Sequence, residues 1–182
     1  MFEIDRTVLL LIDVQGRLAE MMHDRDELFK SLQNLLKAVK ILDIPVIWME
    51  QIPEKLGRTT PEIAEIIEGT KGQAPIAKET FSALLNPEFA ERFEALGRDQ
   101  VLLTGIESHI CVYQTGRDII QRGCEVQIVT DCVSSRTRAN KELGIQRILD
   151  AGGLATSCEM ILFELMKMAR GEAFREIVKI IK

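Results

Sequence analysis

The sequence predicts a single-domain α/β fold of three layers, in which a six-stranded, mostly parallel sheet lies between helices. Short apolar runs alternate with longer stretches of helical periodicity, and no Ser/Gly-rich linker divides residues 1–182. Strands and helices in alternation form right-handed crossovers and a mostly parallel sheet. A chain of 182 residues, 46% of them hydrophobic, is long enough for one sizeable core.

The strands are predicted where apolar residues run without interruption, as is typical of strands covered on both faces. The first run ends at Asp13, and Pro45 opens the second. The six predicted strands span residues 8–12, 45–49, 74–77, 100–104, 125–130 and 154–157.

The helices are predicted from apolar residues spaced three and four apart. Gly97 and Gly123 each end one of them, as glycine commonly does after a last helical turn. Residues 51–57, with Pro53 and Gly57, are predicted to be a loop. The predicted helices span residues 24–42, 87–96, 109–122, 139–151, 159–169 and 172–181, with a further helix beginning within residues 59–62.

Composition excludes several classes of function. The net charge is −5 and the basic residues are scattered, which argues against nucleic acid as a partner. No apolar run approaches the roughly 20 residues of a membrane span, and the charged N-terminus does not read as a signal peptide. The four cysteines form no C-x-x-C pair, which favours reduced thiols and a cytoplasmic location. The chain has only two histidines, so it offers few ligands for a zinc site of the common cysteine/histidine type.

Polar residues stand at the carboxyl ends of the predicted strands, where open parallel sheets bind ligands. Asp13 follows the first strand, Glu50 and Gln51 the second, and Lys78 the third. The run 105–111 follows the fourth, and Asp131 follows the fifth as an expected N-cap or turn residue. An acid, a base and a thiol are therefore expected along one edge of the sheet.

Cys111 is placed near the start of a helix directly after a strand, where unpaired N–H groups and the helix dipole are expected to lower a thiol's pKa. Asp13 could accept the thiol proton, and Lys78 could keep Asp13 ionised. Each residue also has an alternative: Cys111 as a small buried hydrophobe, Asp13 as a turn cap, Lys78 as a surface lysine. Cys124, Cys132 and Cys158 are expected to be structural.

Three segments in order carry a resemblance to a known family. They are 10–15, with Asp13 and Gln15; 78–84, with Lys78 before an aromatic-Ser segment; and 105–112, with Cys111. Together they resemble the isochorismatase-like cysteine hydrolases, over nearly the whole chain. The resemblance implies a Rossmann-like strand order and an Asp13–Lys78–Cys111 triad.

The resemblance also implies a cis peptide joining Ile106 to Glu107, with the N–H groups of Glu107 and Cys111 directed at an oxyanion. The metal-binding Asp-x-His pair of the family's nicotinamidases is missing from residues 50–57, so no metal is expected and no cofactor. This run instead resembles a metal-free subgroup that includes isochorismatase domain-containing proteins and YcaC-like hydrolases. Members are commonly oligomeric, which implies a homo-oligomer.

These features predict a hydrolase that cleaves an amide-type C–N bond of a small molecule through a thioester on Cys111. Gln15, Gln51 and Trp48 are candidates for the substrate pocket wall, although a large aromatic residue such as Trp48 more often belongs to the core. His109, at a helix start, is expected to point away from the thiol. The alternatives are vinyl ether cleavage without the thiol, a catalytically silent or redox-sensitive scaffold, and a flavodoxin-like or dinucleotide module, which lacks its G-x-G-x-x-G signature.

Overall fold

A computed structural model describes residues 1–68 and 74–182. Its strands form one sheet with the order β3-β2-β1-β4-β5-β6, and every pairing between them is parallel. This confirms the predicted α/β class and the Rossmann-like order. The strands are β1 Thr7–Ile12, β2 Val46–Gln51, β3 Ile76–Lys78, β4 Gln100–Ile106, β5 Glu125–Ser134 and β6 Leu154–Thr156.

Helices cover both faces of the sheet. The helices of the described residues are α1 Gly16–Glu20, α2 Arg25–Ile41, α3 Pro53–Leu56, α4 Pro61–Glu68, α5 Pro87–Leu96, α6 Tyr113–Gln121, α7 Arg138–Asp150, α8 Cys158–Met166 and α9 Glu172–Ile181. Within residues 1–68 and 74–182, no helix is both long and apolar enough to span a bilayer.

The central strand β1 explains the two-sided core. Leu9 and Leu11 join a cluster with residues of α2, α8 and α9, whereas Leu10 and Ile12 join a second cluster with residues of α5, α6 and α7. Successive side chains of a strand point to opposite faces, so a strand covered on both sides is apolar throughout. All six residues of β1 are buried.

The structure corrects three predicted elements. Strand β5 extends to Ser134, because its register with β4 jumps between Leu103 and Gly105, so Asp131 lies within the strand rather than after it. The predicted loop 51–57 contains the one-turn helix α3. The helix predicted from residue 109 begins instead as a π-helical turn, Ser108–Val112, before α6.

Candidate active site

The candidate active site lies at the carboxyl edge of the sheet, where the strand order reverses between β1 and β4. Ligands of open parallel sheets bind at such a reversal. Asp13 directly follows β1, and Cys111 lies in the π-helical turn after β4. A cavity of about 120 Å³ opens here. The described residues that line it are Asp13, Gln15, Leu18, Gln51, Leu56, Phe81, Ile106, Glu107, Ile110 and Cys111.

Lys78 reaches this site as a fully buried cation. Its Nζ atom donates to Asp13 Oδ2 at 2.7 Å, to Gln51 Oε1 at 2.5 Å and to the Thr80 carbonyl at 3.2 Å. An ammonium has three donor hydrogens, so these acceptors satisfy all of them. The side chain has no exposed surface, which rules out the surface-lysine alternative. Lys78 therefore acts on the cavity through its positive charge and through its hydrogen bonds to Asp13 and Gln51.

Asp13 presents a carboxylate with one partnered and one unpartnered oxygen. Oδ2 accepts from Lys78, whereas Oδ1 is buried and has no hydrogen-bond partner of ordinary geometry among the described residues. Burial raises the pKa of Asp13, and the positive charge of Lys78 opposes that rise. Gln15, not Asp13, occupies the N-cap position of α1, so Asp13 does not serve as that helix's cap. One carboxylate oxygen is left to accept a proton.

The Cys111 thiol lies beside the Asp13 carboxylate and is held in its protonated form. Burial, followed by the negative charge of Asp13, raises the pKa of Cys111 to about 12, although Lys78 opposes the rise. The prediction of a lowered pKa is therefore wrong, because desolvation and the carboxylate outweigh the positive potential of the helix start and the lysine. A nucleophile in this position needs a base at the moment of attack, and Asp13 is adjacent.

Gln15 and Gln51 both line the cavity, but their amides are occupied by the protein itself. Gln15 Nε2 donates to the carbonyls of Gln51 at 2.9 Å and Gly57 at 2.6 Å, and its Oε1 accepts from the Gln51 N–H at 2.6 Å. Gln51 accepts from Lys78 and donates to the Glu79 carbonyl at 2.8 Å. Gln15 therefore links the end of α3 to β2, and Gln51 helps to position Lys78.

Ile106 and Glu107 line the cavity on the β4 side, and the peptide bond between them is cis. The Glu107 carbonyl accepts from the N–H groups of Ile110 at 3.0 Å and Val112 at 3.3 Å, which closes the turn that carries Cys111. Glu107 Oε1 accepts from the main-chain N–H and the Nε of Arg136, at 3.2 and 3.0 Å. The carboxylate is thus directed to Arg136.

Trp48 and Glu50 are not brought to the cavity, although both belong to β2. Trp48 is buried in the cluster that contains Leu9 and Leu11, and it borders a separate cavity beside α5. Strand alternation explains this, because Trp48 and Gln51 lie three residues apart and point to opposite faces. Glu50 Oε1 instead accepts from the N–H and Oγ1 of Thr59, at 2.7 and 2.9 Å.

His109 and Asp131 also lie apart from the thiol. His109 Nδ1 is 3.0 Å from Ser135 Oγ, and the ring does not line the cavity. This matches the expectation that His109 points away from Cys111. Asp131 Oδ1 accepts from the N–H of Cys158 at 2.8 Å, so this carboxylate holds the start of α8.

Sequence reasoning misses the residues that support the π-helical turn in which Cys111 lies. Ser108 Oγ lies 2.7 Å from Ser135 Oγ, and both residues are fully buried. Helix α7 presses against the same turn at Gly144, where a Cβ atom would lie 2.3 Å from the Ser108 carbonyl carbon. A glycine inside a predicted helix is the signal that could have indicated this close contact.

Comparison with known proteins identifies the family of the chain. A family model of the isochorismatase domain matches residues 7–160. The chain belongs to the isochorismatase family. Isochorismatase domain-containing protein 2A of Mus musculus is 32% identical over 181 residues, which cover 98% of this chain and 84% of that protein. The family resemblance of the sequence motifs is thereby confirmed.

Solved structures share the family's hydrolase fold. A Caenorhabditis elegans protein described as MAR1 ribonuclease has a TM-score of 0.90 and 30% identity, over 99% of this chain and 91% of its own. YcaC of Escherichia coli, described as an octameric hydrolase of unknown specificity, has a TM-score of 0.90 at 19% identity, over 98% of this chain and 89% of its own. Proteins with this fold are thus described as having different activities, so the substrate of this chain must be argued from its site.

Proposed function

We propose that this protein is a cysteine hydrolase that cleaves an amide-type C–N bond of a small molecule through a thioester on Cys111. The observation that carries the proposal is the buried Lys78–Asp13 ion pair, with its unpartnered carboxylate oxygen, beside a thiol that lines a cavity. A nucleophile, a base and a charge that steadies the base are the parts that covalent acyl transfer requires.

In the acylation step, Asp13 accepts the thiol proton as Cys111 Sγ attacks the carbonyl carbon. The N–H groups of Glu107 and Cys111 are the proposed donors to the resulting oxyanion. When the C–N bond breaks, protonated Asp13 returns its proton to the leaving amine, and a thioester remains. The positive charge of Lys78 limits the rise in the pKa of Asp13.

In the deacylation step, Asp13 accepts a proton from water as the water oxygen attacks the thioester carbon. The C–S bond breaks, the sulfur takes the proton from Asp13, and a carboxylic acid leaves. The enzyme returns to its starting state, a protonated thiol and an ionised carboxylate. No oxidant, metal or further reactant enters this balance.

Rapid-quench mass spectrometry with N-acyl p-nitroanilides tests the proposal. The parent protein should carry an acyl group that peptide mapping places on Cys111, whereas Asp13→Asn and Cys111→Ala should carry none. Cys124→Ala, which alters a half-buried thiol that does not line the cavity, is the matched control and should behave as the parent. Circular dichroism checks that each variant is folded.

Three outcomes would contradict the proposal. Hydrolysis by Cys111→Ala at the parent's rate would favour cleavage without the thiol, such as the vinyl ether route. A parent that never acylates would favour the silent scaffold. An RNA arm belongs in the same experiment because the C. elegans relative is described as a ribonuclease; RNA cleavage that survives Cys111→Ala would contradict our choice of a small-molecule substrate.

We further propose that the protein is a homo-oligomer located in the cytoplasm, as its motifs and thiols predict. The E. coli structure with this fold is described as octameric. Size-exclusion chromatography with light scattering measures the assembly directly. A mass equal to the 20.6 kDa chain at micromolar concentration would contradict an oligomer.

A further inference from the structure

The two glutamine side chains that line the catalytic cavity already have hydrogen-bond partners within the protein. Gln15 uses its amide oxygen and nitrogen on the backbone of residues 51 and 57. Gln51 uses its own on Lys78 and the Glu79 carbonyl. A substrate group that needed hydrogen bonds from these amides would first have to break buried ones, which is costly.

The remaining wall of the cavity is apolar. It consists of Leu18, Leu56, Phe81, Ile106 and Ile110. Leu56 and Phe81 form its outer part, since their relative exposures are 40% and 54%, whereas Ile106 is fully buried. This wall recognises a group by shape and by burial of apolar surface rather than by hydrogen bonds.

The charges at the cavity disfavour an ionic substrate group. Lys78 and Asp13 compensate each other, and Glu107 adds a negative charge whose partner, Arg136, is half exposed. A carboxylate entering the cavity would meet Glu107 and would lose its hydration without gaining a buried cation. An ammonium group would also lose its hydration, and it would gain no new ion pair because each carboxylate already has a cationic partner.

The cavity is also small. Its volume of about 120 Å³ lies well below the roughly 300–1,000 Å³ that is typical of ligand pockets.

We propose that the acyl group of the substrate is uncharged, apolar and short, and that the apolar wall selects it. This inference rests on the proposed function, because it assumes that the acyl carbon reaches Cys111. The amine part of the substrate lies outside the cavity, toward the exposed edge formed by Leu56 and Phe81.

A series of p-nitroanilides measures this selection: acetyl, propanoyl, butanoyl, hexanoyl and succinyl. We expect kcat/KM to peak at propanoyl or butanoyl and to fall about tenfold at hexanoyl, since a mismatch in an apolar pocket costs about that much. Succinyl, which resembles butanoyl in length but carries a carboxylate, should be at least about a hundredfold poorer than butanoyl.

Two variants at the outer wall test whether this wall sets the length. Phe81→Ala and Leu56→Ala remove exposed side chains, so both should fold, and both should move the optimum toward hexanoyl. The matched control is Leu85→Ala, because Leu85 is 67% exposed and lies near Phe81 in the chain but does not line the cavity. It should keep the parent's order of substrates.

The outcomes separate this inference from the function on which it rests. If Cys111 is acylated equally by butanoyl and succinyl compounds, or if the optimum is the same in Phe81→Ala and Leu56→Ala as in the parent, the hydrolase stands and the selection is wrong. If no compound in the series acylates Cys111, the proposed function fails and this inference fails with it.

Discussion

The Lys78 ammonium and the Asp13 carboxylate form an ion pair, with Nζ 2.7 Å from Oδ2, whose two side chains are almost entirely removed from water. The two residues come from β3 and from the end of β1, with β2 between them in the sheet. Gln51 of β2 bridges this gap by accepting from the same ammonium. Three neighbouring strands thus contribute to one buried charge cluster beside Cys111.

Removal of the lysine charge should destabilise the protein as well as inactivate it. In Lys78→Met the carboxylate of Asp13 is buried without its partner, and we expect the free energy of unfolding to fall by about 3–5 kcal/mol. Urea denaturation measures this change. The double variant Lys78→Met/Asp13→Asn should recover much of the stability but none of the acylation. A loss below about 1 kcal/mol in the single variant, the range of exposed pairs, would contradict the buried geometry.

The raised pKa of Cys111, about 12, predicts the pH dependence of its alkylation. Below this pKa the thiolate fraction grows about tenfold per pH unit, so iodoacetamide labelling of Cys111 should rise without a plateau between about pH 7 and 10. Peptide mass spectrometry follows the label. A plateau below about pH 9 would mean that the thiol is already ionised there, against its assigned environment.

The same experiment on Asp13→Asn separates thiol acidity from catalysis. Asp13 raises the pKa of Cys111 by its charge, so the variant should be alkylated faster than the parent at about pH 9. Acylation by an amide should nevertheless be lost, because no base remains. Asp26→Asn, at an exposed position of α2, should match the parent in both assays. Slower alkylation of Asp13→Asn would count against the contact between carboxylate and thiol.

Gly105 should tolerate no side chain. Its φ is +110°, and a Cβ atom would lie 2.1 Å from the carbonyl oxygen of Ile12 on the neighbouring strand. We expect Gly105→Ala to lower the free energy of unfolding by more than about 3 kcal/mol. Gly97→Ala is the control, because φ is also positive there but nothing lies within 4 Å, and its cost should be about 1 kcal/mol. Equal costs in urea denaturation would contradict the close approach of β1 and β4.

Gly144 should control the position of the nucleophile from the opposite side of the turn. In Gly144→Ala the new methyl group would meet the Ser108–His109 peptide and displace the turn that carries Cys111. A displacement near 1 Å is expected to lower kcat/KM about a hundredfold. Gly116→Ala, whose methyl group meets only the side-chain ends of Leu103 and Ile148, should keep its kcat/KM even if it loses stability. Similar kcat/KM values in both variants would contradict the proposal that α7 positions the nucleophile.

The candidate site is partly predictable because parallel strands end at a common edge. Asp13 and Lys78 follow directly from the ends of apolar runs, and the structure places both at that edge. Asp131 does not follow this logic, because the irregular pairing of β4 and β5 keeps the strand going past it. Trp48, a candidate for the pocket wall, lies in the core for a related reason. A run that is apolar at nearly every residue does not reveal toward which face of the sheet each side chain points.

The sequence by itself determined the α/β class, because the class depends on local periodicity and on the strong preference for right-handed crossovers. It also carried the motifs that mark the family, and the resemblance of those motifs implied the strand order. Only the tertiary structure decided the ionisation of Cys111, the commitment of Gln15 and Gln51 to backbone partners, and the size of the cavity. Each of these depends on how much water is excluded and on which groups from distant segments come within a few ångströms. Burial and proximity are properties of the packed chain, and no local pattern of residues encodes them.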